Sequence, residues 1–178
     1  MDNLKDNNIT NRVTVTLLIV YLIALYWILI LKLGVRFSYM EKRSVNLVPF
    51  TDPLFANGKI DISEIILNVV IFVPLGIYAG VLFKRWNFAK KLFIFFLVSL
   101  IVEALQFILA VGAFDITDII TNTSGGIIGL LIFKAIEKVF DSIVKAQKFI
   151  NIIAATATVL IIVLLLLLKL NMLPIRYQ

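Results

Sequence analysis

Five long apolar runs leave this 178-residue chain few ways to fold. They fall at about 13–31, 62–83, 92–111, 115–136 and 149–170. A helix of about 20 residues, rising ~1.5 Å per residue, crosses a hydrocarbon core ~30 Å thick. Within that core no water satisfies backbone polar groups, so near-continuous apolar runs of this length span as helices. The expected fold is all-α: an integral membrane bundle of five transmembrane helices. The hydrophobic share of 61% exceeds the roughly 45–50% of soluble domains and agrees with this reading.

Charged stretches between the runs suggest the organisation. Residues 1–12 read as a polar cytoplasmic tail, and 13–136 as a four-helix membrane domain with a long loop at 32–61. Residues 137–148 read as an amphipathic connector that lies in the interface or extends the fourth helix, 149–170 as the fifth helix and 171–178 as a tail. No small-residue cleavage site follows the first run, which is therefore expected to be a retained anchor. Five spans put the two ends of the chain on opposite sides. Ten Lys and Arg then lie on the N-terminal side and seven on the other, and loop 112–114 has none. The positive-inside rule favours the N-terminus in the cytoplasm, the C-terminus outside and loop 32–61 outside. The net charge of +6 fits basic helix ends anchored to anionic membrane lipids, and no nucleic-acid partner is expected.

The chain contains no Cys and no His. Disulfides, thiolate metal sites and Cys nucleophiles are excluded, as are the commonest metal ligand and the usual neutral-pH base. Chemistry is left to carboxylates, amides, hydroxyls, Lys, Arg and Tyr.

Those polar groups share one depth. In the favoured topology Asn68 lies ~9 Å, Glu103 ~12 Å, Gln106 ~8 Å and Asn122 ~10 Å below the outer surface. Glu103 and Gln106 are three apart and share a helix face. Asp115, Asp118 and Asn122 follow i, i+3, i+7, again one face. Ionisable groups at membrane depth are costly and turn toward a bundle interior or a wet cavity. The expectation is one outward-facing polar pocket lined by the second, third and fourth helices. Loop 32–61 would be its lid and would bring in Arg43 or Arg36. The bland alternative is that the amides only tie helices together and that Asp115 only caps the fourth helix. Gly125 and Gly129, four apart, let another helix approach closely, and their face is also a candidate oligomer contact. Pro74 and Gly76 are expected to kink or loosen the second helix.

These residues form a recognisable series. Arg43-x-x-Asn46-Leu47-Val48-Pro49-Phe50 is similar to the loop motif of the VanZ-like family. Asn68-x-x-x-Phe72-x-Pro74-x-Gly76 resembles its second motif. Glu103-x-x-Gln106 followed by Asp115-x-x-Asp118-x-x-x-Asn122-x-x-Gly125-x-x-x-Gly129 resembles its acidic block. The resemblance covers roughly 13–136 and implies a multi-spanning bacterial membrane protein of the cytoplasmic membrane. The family is named for a protein that gives low-level resistance to teicoplanin, a lipid-tailed glycopeptide that binds cell-wall precursors outside the membrane.

Two functions follow as expectations. In the first, the pocket binds a cell-wall lipid precursor or the lipoglycopeptide and lowers the drug's access to its target. Arg43 would hold a phosphate or carboxylate there, with Asn46, Asn68, Glu103, Gln106, Asp115, Asp118 and Asn122 lining the rest. In the alternative, the chain is an enzyme on an outer-leaflet lipid or wall precursor. Glu103 and Asp118 would then supply acid–base chemistry, or Glu103, Asp115 and Asp118 would hold a divalent cation through oxygen ligands. No other cofactor is expected.

Overall fold

The computed structural model describes residues 2–30, 44–50, 55–56, 59–60 and 62–169. Five helices account for most of them: α1 (Asp2–Leu29), α2 (Ser63–Leu82), α3 (Phe88–Ile108), α4 (Ile116–Phe140) and α5 (Ile143–Lys169). Each contains a stretch long and apolar enough to cross a membrane. Four two-residue strands lie between them: β1 (Val45–Asn46), β2 (Phe55–Ala56), β3 (Lys59–Ile60) and β4 (Phe114–Asp115). The structure is thus the expected five-span helical bundle.

Two expected boundaries move. Residues 2–12 are not a tail outside the helix, because α1 begins at Asp2. The connector at 137–148 is divided between two helices, the first part extending the fourth as one of its two readings had it. Its helical spacing continues α4 to Phe140, and α5 starts at Ile143. The break between them is Asp141, held in the left-handed region at φ 48°. A short polar side chain tolerates that conformation better than the branched and aromatic residues around it.

The bundle is built on the pair α2 and α4, two helices that are not consecutive. A Cβ added at Gly125 would strike the carbonyl of Val69, and one at Gly129 the carbonyl of Val73. One at Gly76 would meet the backbone of Gly126 and Leu130, and one at Gly80 the ring of Phe133. The partner numbers rise together, so the two helices run parallel with their backbones in contact. Without hydrophobic driving force between helices in lipid, such close approach is what small residues provide. This corrects one expectation, that the Gly125/Gly129 face is a contact for a second copy. The Gly125/Gly129 face is occupied by α2 of the same chain, so it is not open to a second copy. Gly76 serves helix contact, and α2 continues as one helix through Pro74.

α3 covers this pair. Phe95 and Phe72 are fully buried and join Leu25, Ile30, Leu75, Ala79 and Val102 in the main core cluster. The Phe95 ring fits against Gly126, which has no side chain to displace it. This apolar plug separates the polar groups at the two ends of the α3–α4 seam.

α1 and α5 join on the outside through a polar contact. The Thr14 hydroxyl lies 2.9 Å from both the Thr10 carbonyl and Asn151 Oδ1, and accepts from Gln147 Nε2 at 2.8 Å. Gln147 also donates to Asn11 Oδ1, and Asn151 to the Thr10 carbonyl. The fifth helix therefore carries two buried amides, Gln147 and Asn151.

Candidate functional site: a polar junction roofed by a loop

The expected site residues meet where α2 and α4 begin and α3 ends. α3 closes with Ala110 at φ 54°, and the Val111 N–H returns to the Gln106 carbonyl at 3.0 Å. This turn delivers the chain to β4 and then to α4. Asp115 caps α4: its Oδ1 accepts from the Thr117 N–H at 2.7 Å. The same carboxylate's Oδ2 accepts from Asn46 Nδ2 at 3.1 Å.

That second bond belongs to a larger contact. β1 lies parallel to β4, with Val45 opposite Phe114 and Asn46 opposite Asp115. The Phe114 N–H donates to the Ser44 carbonyl at 3.0 Å. Asn46 Oδ1 then accepts from the Val48 N–H, turning the chain back over the start of α4. At Phe50 the N–H donates to the Thr117 hydroxyl at 3.1 Å, with Phe50 itself at φ 61°. A bulky residue in that region is strained and is held only when its surroundings fix it. The Asn46–Phe50 motif is thus a roof fastened to the acidic end of α4. Arg43 and Arg36 lie outside the described residues, as does most of the 51–61 segment of the expected lid.

Beneath the roof the polar side chains form a ladder. On the α3–α4 seam, Glu103 Oε2 accepts from the Asp115 N–H at 3.3 Å. Glu103 is only 2% exposed, and Asp118 is near enough to act on its charge. From α2, Asn68 Nδ2 donates to Asp118 Oδ1 at 2.7 Å. One turn deeper, Asn122 Nδ2 donates to the Ser99 hydroxyl at 3.0 Å. Asn122 is 1% exposed, and its Oδ1 has no protein partner, so one end of a buried amide is left unsatisfied. Such groups are rare and call for an occupant such as water or a ligand donor.

The structure brings together Asn46, Asn68, Glu103, Asp115, Asp118 and Asn122. Gln106 faces elsewhere: its Nε2 donates to the Leu29 carbonyl at the end of α1, at 3.0 Å. It positions α1 and does not line the junction. Among the described residues no three acidic side chains gather as a metal-holding group, so Glu103, Asp115 and Asp118 do not form the expected three-carboxylate set. Two residues escaped the sequence reading. Ser99 lies four before Glu103 on the same face, a spacing that could have revealed it. Thr117 gave no signal, because its role depends on where the roof lands. Two cavities formed by described residues, of about 340 and 590 Å³, lie at the other end of the bundle.

The sequence that builds this multi-span bundle has relatives. Residues 18–141 match the family model described as VanZ/LLP1, and the chain belongs to that family. It is 44% identical over 121 residues to Protein VanZ of Enterococcus faecium, a match covering 66% of this chain and 71% of the relative. No solved structure matches it. The matched segment ends at the α4–α5 turn, so α5 stands outside it.

Proposed function

We propose that this chain modulates susceptibility to lipid-tailed glycopeptide antibiotics such as teicoplanin, from the bacterial cytoplasmic membrane. In this reading the roofed junction faces outward and engages a cell-wall lipid precursor or the drug itself. Asp118, Asn68 and Glu103 form its acidic floor, and the open end of the Asn122 amide offers a further hydrogen-bonding position. The observation that carries the reading is the roof. A strained loop fastened over the buried Glu103 carboxylate and its half-buried neighbour Asp118, in a family that includes Protein VanZ, is costly to maintain unless it serves a ligand. Ligand engagement is favoured over turnover. Both oxygens of Asp115 are already held, and the acidic side chains are not grouped for a metal.

The test is teicoplanin and vancomycin susceptibility in a sensitive Gram-positive host expressing wild type, Glu103→Gln or Asp118→Asn at matched membrane levels. Selective protection against teicoplanin by wild type, lost in both variants, is the expected result. Absence of protection by wild type overturns the resistance role. Orientation has its own check in the natural cysteine-free background. Ala113→Cys is expected to react with an impermeant thiol reagent applied outside intact cells.

A further inference from the structure

The end of the bundle opposite the roofed junction holds a second concentration of charge. Lys91 lies one turn into α3 and is 8% exposed. It belongs to the buried face of α3 that Phe95, Ser99 and Glu103 continue in four-residue steps. The pairing that sets Glu103 by Asp118 and Ser99 by Asn122 brings Lys91 toward the last turns of α4. There Lys134 opposes its charge and Glu137 offsets it. Glu137 also attracts Lys84, from the α2–α3 turn.

Lys84 and Lys91 therefore share one carboxylate, and Lys134 sets a like charge beside Lys91. Among the described residues the Lys91 ammonium makes no hydrogen bond or ion pair. A buried ammonium costs free energy unless it is paired, and a like charge beside it adds to that cost. The surroundings add positive potential, because α3 begins here and its first-turn N–H groups form the positive end of the helix dipole. A cavity of about 340 Å³, lined by Lys134, Glu137, Lys138 and Asp141, adjoins the cluster. The ends of α2, α3 and α4 bring the cluster to the level where lipid headgroups lie. Lysines that merely anchored helix ends would be exposed along their length, whereas most of the Lys91 side chain is covered by the bundle.

We infer that Lys91, Lys134 and Lys84 form a binding site for a phosphate group, carried by an anionic phospholipid of the leaflet opposite the roofed junction. Ammonium groups bind phosphate as compact point charges, and a phosphate adds the counter-charge that Glu137 alone supplies to Lys84 and Lys91. Glu137 competes with the phosphate and limits affinity. The site stands independently of the proposed antibiotic role.

The test uses the full chain purified in detergent. Native mass spectrometry counts retained phosphatidylglycerol against phosphatidylcholine, with inorganic phosphate as a separate probe. Preferential retention of phosphatidylglycerol is expected. Lys91→Gln or Lys134→Gln should each weaken it roughly fivefold, one lysine's share near an anionic surface. Lys90→Gln, at the exposed neighbouring position, should leave it unchanged. Glu137→Gln should strengthen retention, a gain that misfolding cannot produce. Saturable binding of inorganic phosphate that needs Lys91 supports the site with a soluble source of the same group. The inference is overturned if Lys91→Gln behaves like Lys90→Gln, if Glu137→Gln lowers retention, or if neither probe binds selectively.

Discussion

Asn68 and Asp118, 50 residues apart in the chain, are joined by a 2.7 Å hydrogen bond between the parallel helices α2 and α4. The acceptor is a carboxylate, so the bond lies toward the strong end of interhelical hydrogen bonds. Those average about 0.6 kcal/mol within membranes and reach about 1.7. Asn68→Ala is expected to cost roughly 1–2 kcal/mol, read from reversible unfolding in bicelles. Asn68→Asp should cost more, because it sets a second carboxylate against Asp118. A variant as stable as wild type would show that the bond carries no weight.

The glycine seam makes a sharper contrast. Gly76→Ala places a methyl group against the backbone of Gly126 and Leu130, which cannot move aside as a side chain could. Overpacking of this kind costs about 1–3 kcal/mol or more. Gly112→Ala meets nothing nearer than 3.5 Å, at the Gln106 side chain, and should change stability little. Equal losses at both positions would rule out close approach as the reason for Gly76.

Ala110 holds a left-handed turn that favours glycine. Relief of that strain by Ala110→Gly, offset by the greater freedom of glycine when unfolded, should raise stability by roughly 0.5–1 kcal/mol. A loss of stability would mean that the Ala110 methyl makes a contact outweighing the strain.

The α1–α5 contact predicts a local effect. Thr14→Val removes the hydroxyl that Gln147 donates to and that lies beside Asn151. Loss of about 1 kcal/mol is expected, with faster hydrogen exchange in the first turns of α5 and little change in α2 or α4. Uniform acceleration through the bundle would show that α5 is not a separate unit.

The spans were legible because hydropathy and length act on whole segments. So was the meeting of Asn68, Glu103, Asp115, Asp118 and Asn122, because ionisable groups in lipid have to converge. Other features depend on contacts that no local pattern specifies. Gln106 shares a face with Glu103, yet it reaches back to α1. The breadth of a helix face admits both directions, and only the end of α1 decides between them. The pairing of Asn46 with Asp115 joins segments on either side of two spans, and nothing in either segment announces it. Gln147 and Asn151 carry no signal of their own, because their role depends on the partners that Thr10 and Thr14 supply from α1. Gly125 and Gly129 did announce a close helix contact, but not that the neighbour was α2 rather than another copy.

Because α2 finds its closest neighbour two helices further along the chain, the bundle cannot assemble in the order in which it is synthesised. When α2 enters the bilayer, the α4 partners of Gly76 and Gly80 have yet to leave the ribosome. α3 has to insert, turn back and leave room before α4 arrives. Until then the narrow face of α2 is covered only by lipid or by the insertion machinery. The acidic start of α4 is thus the last part of the junction to be delivered. A ribosome stalled before α4 would leave four of the junction's groups, Asn46, Asn68, Ser99 and Glu103, in the membrane without their partners. Such a chain should be a substrate for membrane quality control rather than a partly active protein.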